Sequence, residues 1–181
     1  MQSNKSSKTE KIIVGIIVVL ILGGAGYWLY HSIFLVGLLP EMGTAYPIEG
    51  RDHVSDETVI AYKTNPPQSG SHYAKPADWG VYEEAIPDER LVHNLEHGGI
   101  WIAYRPSIST AAKDRLTALA KSYKSKVIMA PRKKNDTDIA LVSWGRIYKM
   151  EIAPDGSFDE KAIKNYIIKY KNTGPELLPD M

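Results

Sequence analysis

"IWIAYRPSISTAAKDRLTALAKSYKSKVIMAP", residues 100 to 131, decides the fold. Its first five residues, Ile100 to Tyr104, are apolar and read as a strand. Beyond Pro106, the apolar residues Ala112, Leu116, Leu119 and Ala120 recur at the spacing of one helix face. Lys126 to Pro131 returns to a strand pattern. Strand, helix and strand in that order predict a crossover unit within one sheet.

Downstream, "RKKNDTD" is a polar turn, and its basic part reads as a solvated loop. Ile139 to Ile152 is one long strand or a broken pair, "PDG" a turn, and Asp159 to Lys171 an amphipathic helix built on Ala162, Ile163, Tyr166, Ile167 and Tyr170. Upstream, Pro87-Asp88-Glu89 opens a helix with an acidic first turn, suited to the positive end of the dipole. It runs to His97, and Gly98 stops it. The order helix, strand, helix, strand, strand, helix predicts an α+β fold, a small mixed β-sheet packed with helices.

Residues 41 to 90 carry little periodicity and five prolines, Pro47, Pro66, Pro67, Pro76 and Pro87. Only Thr58 to Tyr62 reads as a strand. The tyrosines and Trp79 speak against disorder. This loop-rich segment is expected to lie fixed over the core, held by something.

The N-terminus begins with a polar tail bearing Lys5, Lys8 and Lys11 against Glu10. Ile12 to Pro40 then contains no Asp, Glu, Lys or Arg. Ile12 to Tyr30 alone approaches the roughly 20 apolar residues that a membrane span needs. Tyr27, Trp28 and Tyr30 sit where an interfacial aromatic belt belongs. A cleaved signal peptide is the competing reading, with Gly23 to Gly26 as its cleavage region. Apolar character continues through Ile33 to Leu39, which a cleavage region does not need. The expected organisation is a cytoplasmic tail (1–11), a transmembrane signal anchor (12–39) and an extracytoplasmic globular domain (40–181). The lysines ahead of the span place the N-terminus in the cytoplasm and the domain outside the cell membrane. Lipid around residues 12–39 is the expected partner, and Ile33 to Leu39 could also meet another membrane protein.

The 181 residues carry a formal net charge of +1 and no cysteine. Disulfides, thiolate metal sites and a catalytic thiol are thereby excluded. No nucleic-acid partner is expected, because that would call for a concentrated basic face. No phosphate loop, nucleophile elbow or dinucleotide fingerprint is present.

Apart from His31 at the membrane edge, the histidines are His53, His72, His93 and His97, and none follows. His93 and His97 stand four apart on a predicted helix and can aim at one point, as ligands of a zinc or similar ion do. His72 follows "NPPQSGS", where Pro66-Pro67 favours an extended segment and Ser69-Gly70 a turn. Such a loop presents the imidazole in a fixed direction. It is equally readable as a rigid surface loop whose histidine bonds to backbone. Glu96 could be a general base, a partner fixing an imidazole tautomer, or a solvated residue. The letters His-x-x-Glu-His match an inverted metallopeptidase motif. Such motifs lie within a long helix, however, and Gly98-Gly99 ends this one at once. Met42 and Met129 make a His/Met copper set conceivable, though Met129 in a strand is more ordinarily core. Trp101 and Trp144 read as core that could also shield a site.

"RDHV", "YKTNPPQSGSHY", "GVY", "ERLVHNLEHGGIWIAY", "LVSWGR" and the late "GPE" resemble the membrane-anchored bacterial and archaeal domain-of-unknown-function family 3105. The resemblance implies a single-pass or exported protein with one such domain, and it supplies no activity. Its matching positions are His53, His72, His93, Glu96 and His97, while Met129 stands outside its pattern. The expected function is binding of a transition metal, copper or zinc, through His53, His72, His93 and His97, with Glu96 behind them. A non-catalytic interaction module of the cell envelope, or a metal-dependent hydrolase with Glu96 as base, are the alternatives.

Overall fold

The strand–helix–strand unit forms where its spacing places it. The computed structural model describes residues 8–176 and 178. In chain order its elements are helix α1 (Lys8–Leu38) and strands β1 (Thr44–Ala45), β2 (His53–Val54), β3 (His72–Tyr73) and β4 (Gly80–Val81). Helix α2 (Asp88–Glu96), strand β5 (Ile100–Tyr104) and helix α3 (Thr110–Lys121) follow. Strands β6 (Val127–Pro131), β7 (Ile139–Ser143) and β8 (Arg146–Met150) and helix α4 (Glu160–Tyr170) complete the series. These residues fall into two compact units that divide after Pro40.

In the first unit, α1 runs 31 residues. Its stretch Glu10–Tyr30 has a mean hydropathy of 2.5, and none of it is buried. This helix is long and apolar enough to cross a membrane, by length and composition. The helix continues through the apolar excess as far as Leu38. Residues 1–7 of the expected tail lie outside the described residues.

In the second unit, six strands form one mixed sheet in the order β1-β8-β7-β5-β6-β4. β5 and β6 are parallel, as the α3 crossover requires, with Ile100 opposite Val127. β5 pairs antiparallel with β7, and β7 with β8. The apolar run 139–152 is therefore a hairpin, broken at Trp144-Gly145.

Both faces of the sheet are covered, which is why its central strands read as unbroken apolar runs. Ile100, Ile102, Val127, Met129, Ile139 and Leu141 pack with Leu116 and Leu119 of α3 and Ile163 and Ile167 of α4. Trp101, Ala103, Ile128, Ala140 and Val142 pack on the other face with Leu91 and Leu95 of α2. Each Val, Leu, Ile or Met side chain among them contributes about 1.5–3 kcal/mol of burial free energy. The Oγ of Ser109 accepts from Ala112 N at 3.2 Å and the carboxylate of Asp159 from Ala162 N at 2.8 Å. These caps fix where α3 and α4 begin, at about 1 kcal/mol each.

The loop-rich segment is held by both edges of the sheet. β1 adds antiparallel to β8 at one edge, and β4 adds parallel to β6 at the other. Between these attachments, β2 and β3 pair with each other. Two sequence readings fail here. Thr58 to Tyr62 is not a strand. Its side chains do alternate, with Thr58, Ile60 and Tyr62 half-buried and Val59 94% exposed, but no neighbouring strand pairs with it. The basic turn after Pro131 is not wholly solvated either. Arg132 is buried and grips Asp88, with Nε 2.9 Å from Oδ1 and Nη2 2.8 Å from Oδ2. It also donates to Asn65 and Asn135. This forked pair ties the first turn of α2 to the end of β6 and to the loop carrying Pro66.

Candidate metal centre

α2 is short and spends every face. Leu91 and Leu95, one turn apart, point at the sheet. His93, Glu96 and His97 are buried away from that contact, on the side facing the loops. Asn94 accepts from Ala77 N at 2.9 Å and donates to Ala77 O at 2.8 Å, which fastens the loop after β3 to the helix. The glycine pair then closes the helix. Gly98 N donates to Leu95 O at 2.9 Å and Gly99 N to Asn94 O at 2.8 Å, with Gly98 at φ 79°. These two bonds are the Schellman pattern, and its left-handed residue favours glycine. Ile100 N reaches Lys126 O at 2.9 Å immediately afterwards, so the chain passes from helix into sheet without slack.

The loop carrying His72 is no surface loop. Pro66 through Gly70 are buried. Gln68 Nε2 donates to Pro47 O at 3.1 Å, and the Gln68 backbone carbonyl accepts from Gly145 N at 3.1 Å. Ser69 Oγ accepts from Glu49 N at 2.9 Å, and Tyr62 OH donates to Ser71 O at 2.8 Å. The parallel pairing of β2 with β3 sets His53 opposite His72. Two loops far apart in sequence thus deliver their imidazoles side by side.

The rings of His53, His72 and His93 form a nearly equilateral triangle, with centroid separations of 4.9, 4.8 and 4.8 Å. The ring of His97 lies 4.6 Å from that of His93. One ligand atom each from His53, His72, His93 and Glu96 falls within 4.8 Å of the other three. His97 joins through His93, Nε2 to Nε2 at 2.8 Å. His72, His93, Glu96 and His97 are buried, whereas the His53 side chain is 49% exposed and marks the way in from solvent.

Three of the imidazoles are anchored alike. Nδ1 of His72 lies 2.8 Å from Gly70 O, Nδ1 of His93 lies 2.7 Å from Tyr73 O, and Nδ1 of His97 lies 3.2 Å from Glu176 O. A carbonyl oxygen only accepts, so each Nδ1 carries the proton and, in the neutral ring, each Nε2 presents a bare lone pair. Burial pushes the His93 imidazole down to about 4, helped by the like charges of His97, His72 and His53 and opposed by the Tyr73 carbonyl. At neutral pH the His93 imidazole is therefore uncharged.

Glu96 Oε2 lies 3.0 Å from His72 Nε2 and 3.8 Å from His53 Nε2. Both Glu96 Oε2 and His72 Nε2 are buried without a hydrogen-bond partner, since they approach each other without the alignment of a bond. A carboxylate oxygen and a bare imidazole nitrogen repel at that distance, and an unmatched buried charge is costly. A cation among them removes both penalties. The donor set thus fits a transition metal, with imidazole nitrogens, one carboxylate oxygen and no sulfur.

All five residues singled out by spacing and resemblance gather here, and Glu96 stands among the imidazoles. Met129 does not approach them. It is fully buried on the α3 face of the sheet, with Thr117 Oγ1 3.7 Å from its sulfur, and Met42 packs against that same core. Trp101 is core, whereas Trp144, at the β7–β8 turn, stands edge-on 6.4 Å from the His72 ring. Sequence reasoning did not assign a role to the segment after α4. Asn172 N donates to Gly98 O at 2.8 Å and Glu176 N to Glu96 O at 3.1 Å. Gly174 passes so close that a Cβ there would lie 2.2 Å from Glu96 O. This strap clamps the end of α2 and supplies the carbonyl that orients His97. The "GPE" letters were its only signal.

A family model described as a protein of unknown function (DUF3105) matches residues 53–179, from His53 through the strap, and the chain belongs to that family. No curated protein matches the chain, and no solved structure does.

Proposed function

We propose that the chain, as a member of this family, is a membrane-anchored domain that binds a transition metal, copper or zinc, outside the cytoplasm. His53, His72, His93 and His97 are its ligands, together with Glu96. The observation that carries this reading is the pair of buried atoms without partners, His72 Nε2 and Glu96 Oε2, set among further imidazoles. Glu96 here has a fuller part than that of a residue supporting the histidines from behind. A bound metal would supply a concentrated positive charge and Lewis acidity. The chain's own residues orient the donors, exclude water on the protein side and leave access at His53.

Lys8 and Lys11, in the first turns of α1 and ahead of its apolar run, support an inward N-terminus and an outward domain. The test is metal analysis of the purified full chain beside a His93→Ala/His97→Ala double variant. About one equivalent in the wild type and a loss in the variant are expected. Equal content in the two would overturn the reading.

A further inference from the structure

The layer of α3 and α4 turns a basic outer face to solvent. On α4, Lys161, Lys164, Ile168 and Lys171 follow at intervals of three, four and three, which sets them along one stripe. The opposite stripe, Ala162, Ile163, Tyr166, Ile167 and Tyr170, is buried. Lys161, Lys164 and Ile168 are exposed, and Lys171 is half-buried. α3 lies alongside, with Arg115 Nη2 2.8 Å from Glu160 Oε1, and adds exposed Lys121 and, just past its end, Lys124. Among the described residues no carboxylate pairs with any of these five lysines. The acidic residues within the two helices are Asp114 and Glu160, and Arg115 takes up the latter. The whole chain carries only +1, so this face is basic by local segregation of charge.

The chain also enters the second unit beside this face. Glu41, three residues past the end of α1, is bound to the C-terminal end of α4. Its carboxylate lies 2.9 Å from Lys169 Nζ and 3.0 Å from Arg146 Nη2, and accepts from Tyr170 OH at 2.9 Å. Met42 N donates to the same hydroxyl at 2.9 Å.

Resting on the membrane anchoring proposed above, we infer that the outer face of α3 and α4 docks on anionic lipid headgroups of the membrane that holds α1. Lysine stems lie along the acyl boundary while their ammonium groups meet phosphates, and Ile168 enters between them. A protein partner fits this face poorly, because lysine is depleted from protein interfaces and one isoleucine makes no apolar core. α2 covers the opposite face of the sheet, so this docking leaves the centre at His53 open to solvent.

The chain has no cysteine, so Ile168→Cys gives a single site for a fluorophore, with Val59→Cys, at a position 94% exposed, as the control. The full chain is reconstituted into vesicles of phosphatidylcholine with or without phosphatidylglycerol, and quenching by aqueous acrylamide is read. With phosphatidylglycerol, the label at 168 should lose its quenching and the label at 59 should keep it. High salt, or Lys161→Glu/Lys164→Glu/Lys171→Glu on the exposed stripe, should restore quenching at 168. Equal quenching of the two labels in the anionic vesicles, or shielding that survives the charge reversal, would overturn the inference and leave anchoring standing. Shielding in native membranes but not in lipid vesicles would assign the face to a protein partner and overturn it as well. A chain washed off the vesicles by alkali would overturn the anchoring reading, and the inference with it.

Discussion

At the residue scale, the site rests on one device used three times. His72, His93 and His97 each give the Nδ1 proton to a backbone carbonyl, which fixes ring and tautomer and leaves Nε2 facing inward. The clustering of the histidines was legible in the letters, but the carbonyls that aim them have no side-chain signature. Glu96 carries the sharpest residue-level prediction. Glu96→Gln keeps the volume and removes the charge, and metal titration should show affinity falling about 10–100-fold. A general base would behave differently, keeping the metal and losing turnover. A second prediction concerns His93 in the metal-stripped chain. Its folded value is about 4 against an ordinary 6.5, so between these pH values the unfolded state binds more protons. Stability is then fully present above about pH 6.5 and is lost as pH falls toward 4. Denaturant midpoints measured across this window should fall on acidification, and His93→Gln should flatten the slope.

At the element scale, α2 is a nine-residue helix that could not stand alone and is held at both ends. Arg132 grips Asp88 at its start, and the strap from Asn172 to Glu176 clamps its end. Gly174→Ala would drive a Cβ into Glu96 O, Gly98 N and Leu95 O, and the strap must lift. Metal affinity should fall at least about 10-fold in that variant, since His97 loses its orienting carbonyl. The core of sheet, α3 and α4 should melt nearly as before. An unchanged metal affinity would mean that the strap does not position the site. The long elements were legible because their own residues carry the period. β1 to β4 were not, because each is a two-residue pairing chosen by a distant partner. Arg132 was misread for the same reason, since only the fold brings Asp88 and Asn65 to it.

At the scale of the whole molecule, two compact units do different work. Residues 12–30 carry no charged side chain and none of them is buried, and their apolar character is legible from composition alone. The full chain should remain in the membrane pellet after a high-salt wash, and deletion of residues 12–39 should release it. Protease added to intact cells should digest an outward domain and spare an inward one. The second unit brings three separate sequence regions, around His53, around His72 and along α2, to one point that is buried on all sides but that of His53. The most direct measurement of that convergence is anomalous diffraction from crystals of the metal-loaded chain. The account predicts a single peak about 2.0–2.1 Å from His72 Nε2 and from His93 Nε2, with the Glu96 carboxylate in contact. No peak among these atoms, with the imidazoles hydrogen-bonded to water or to one another, would contradict it.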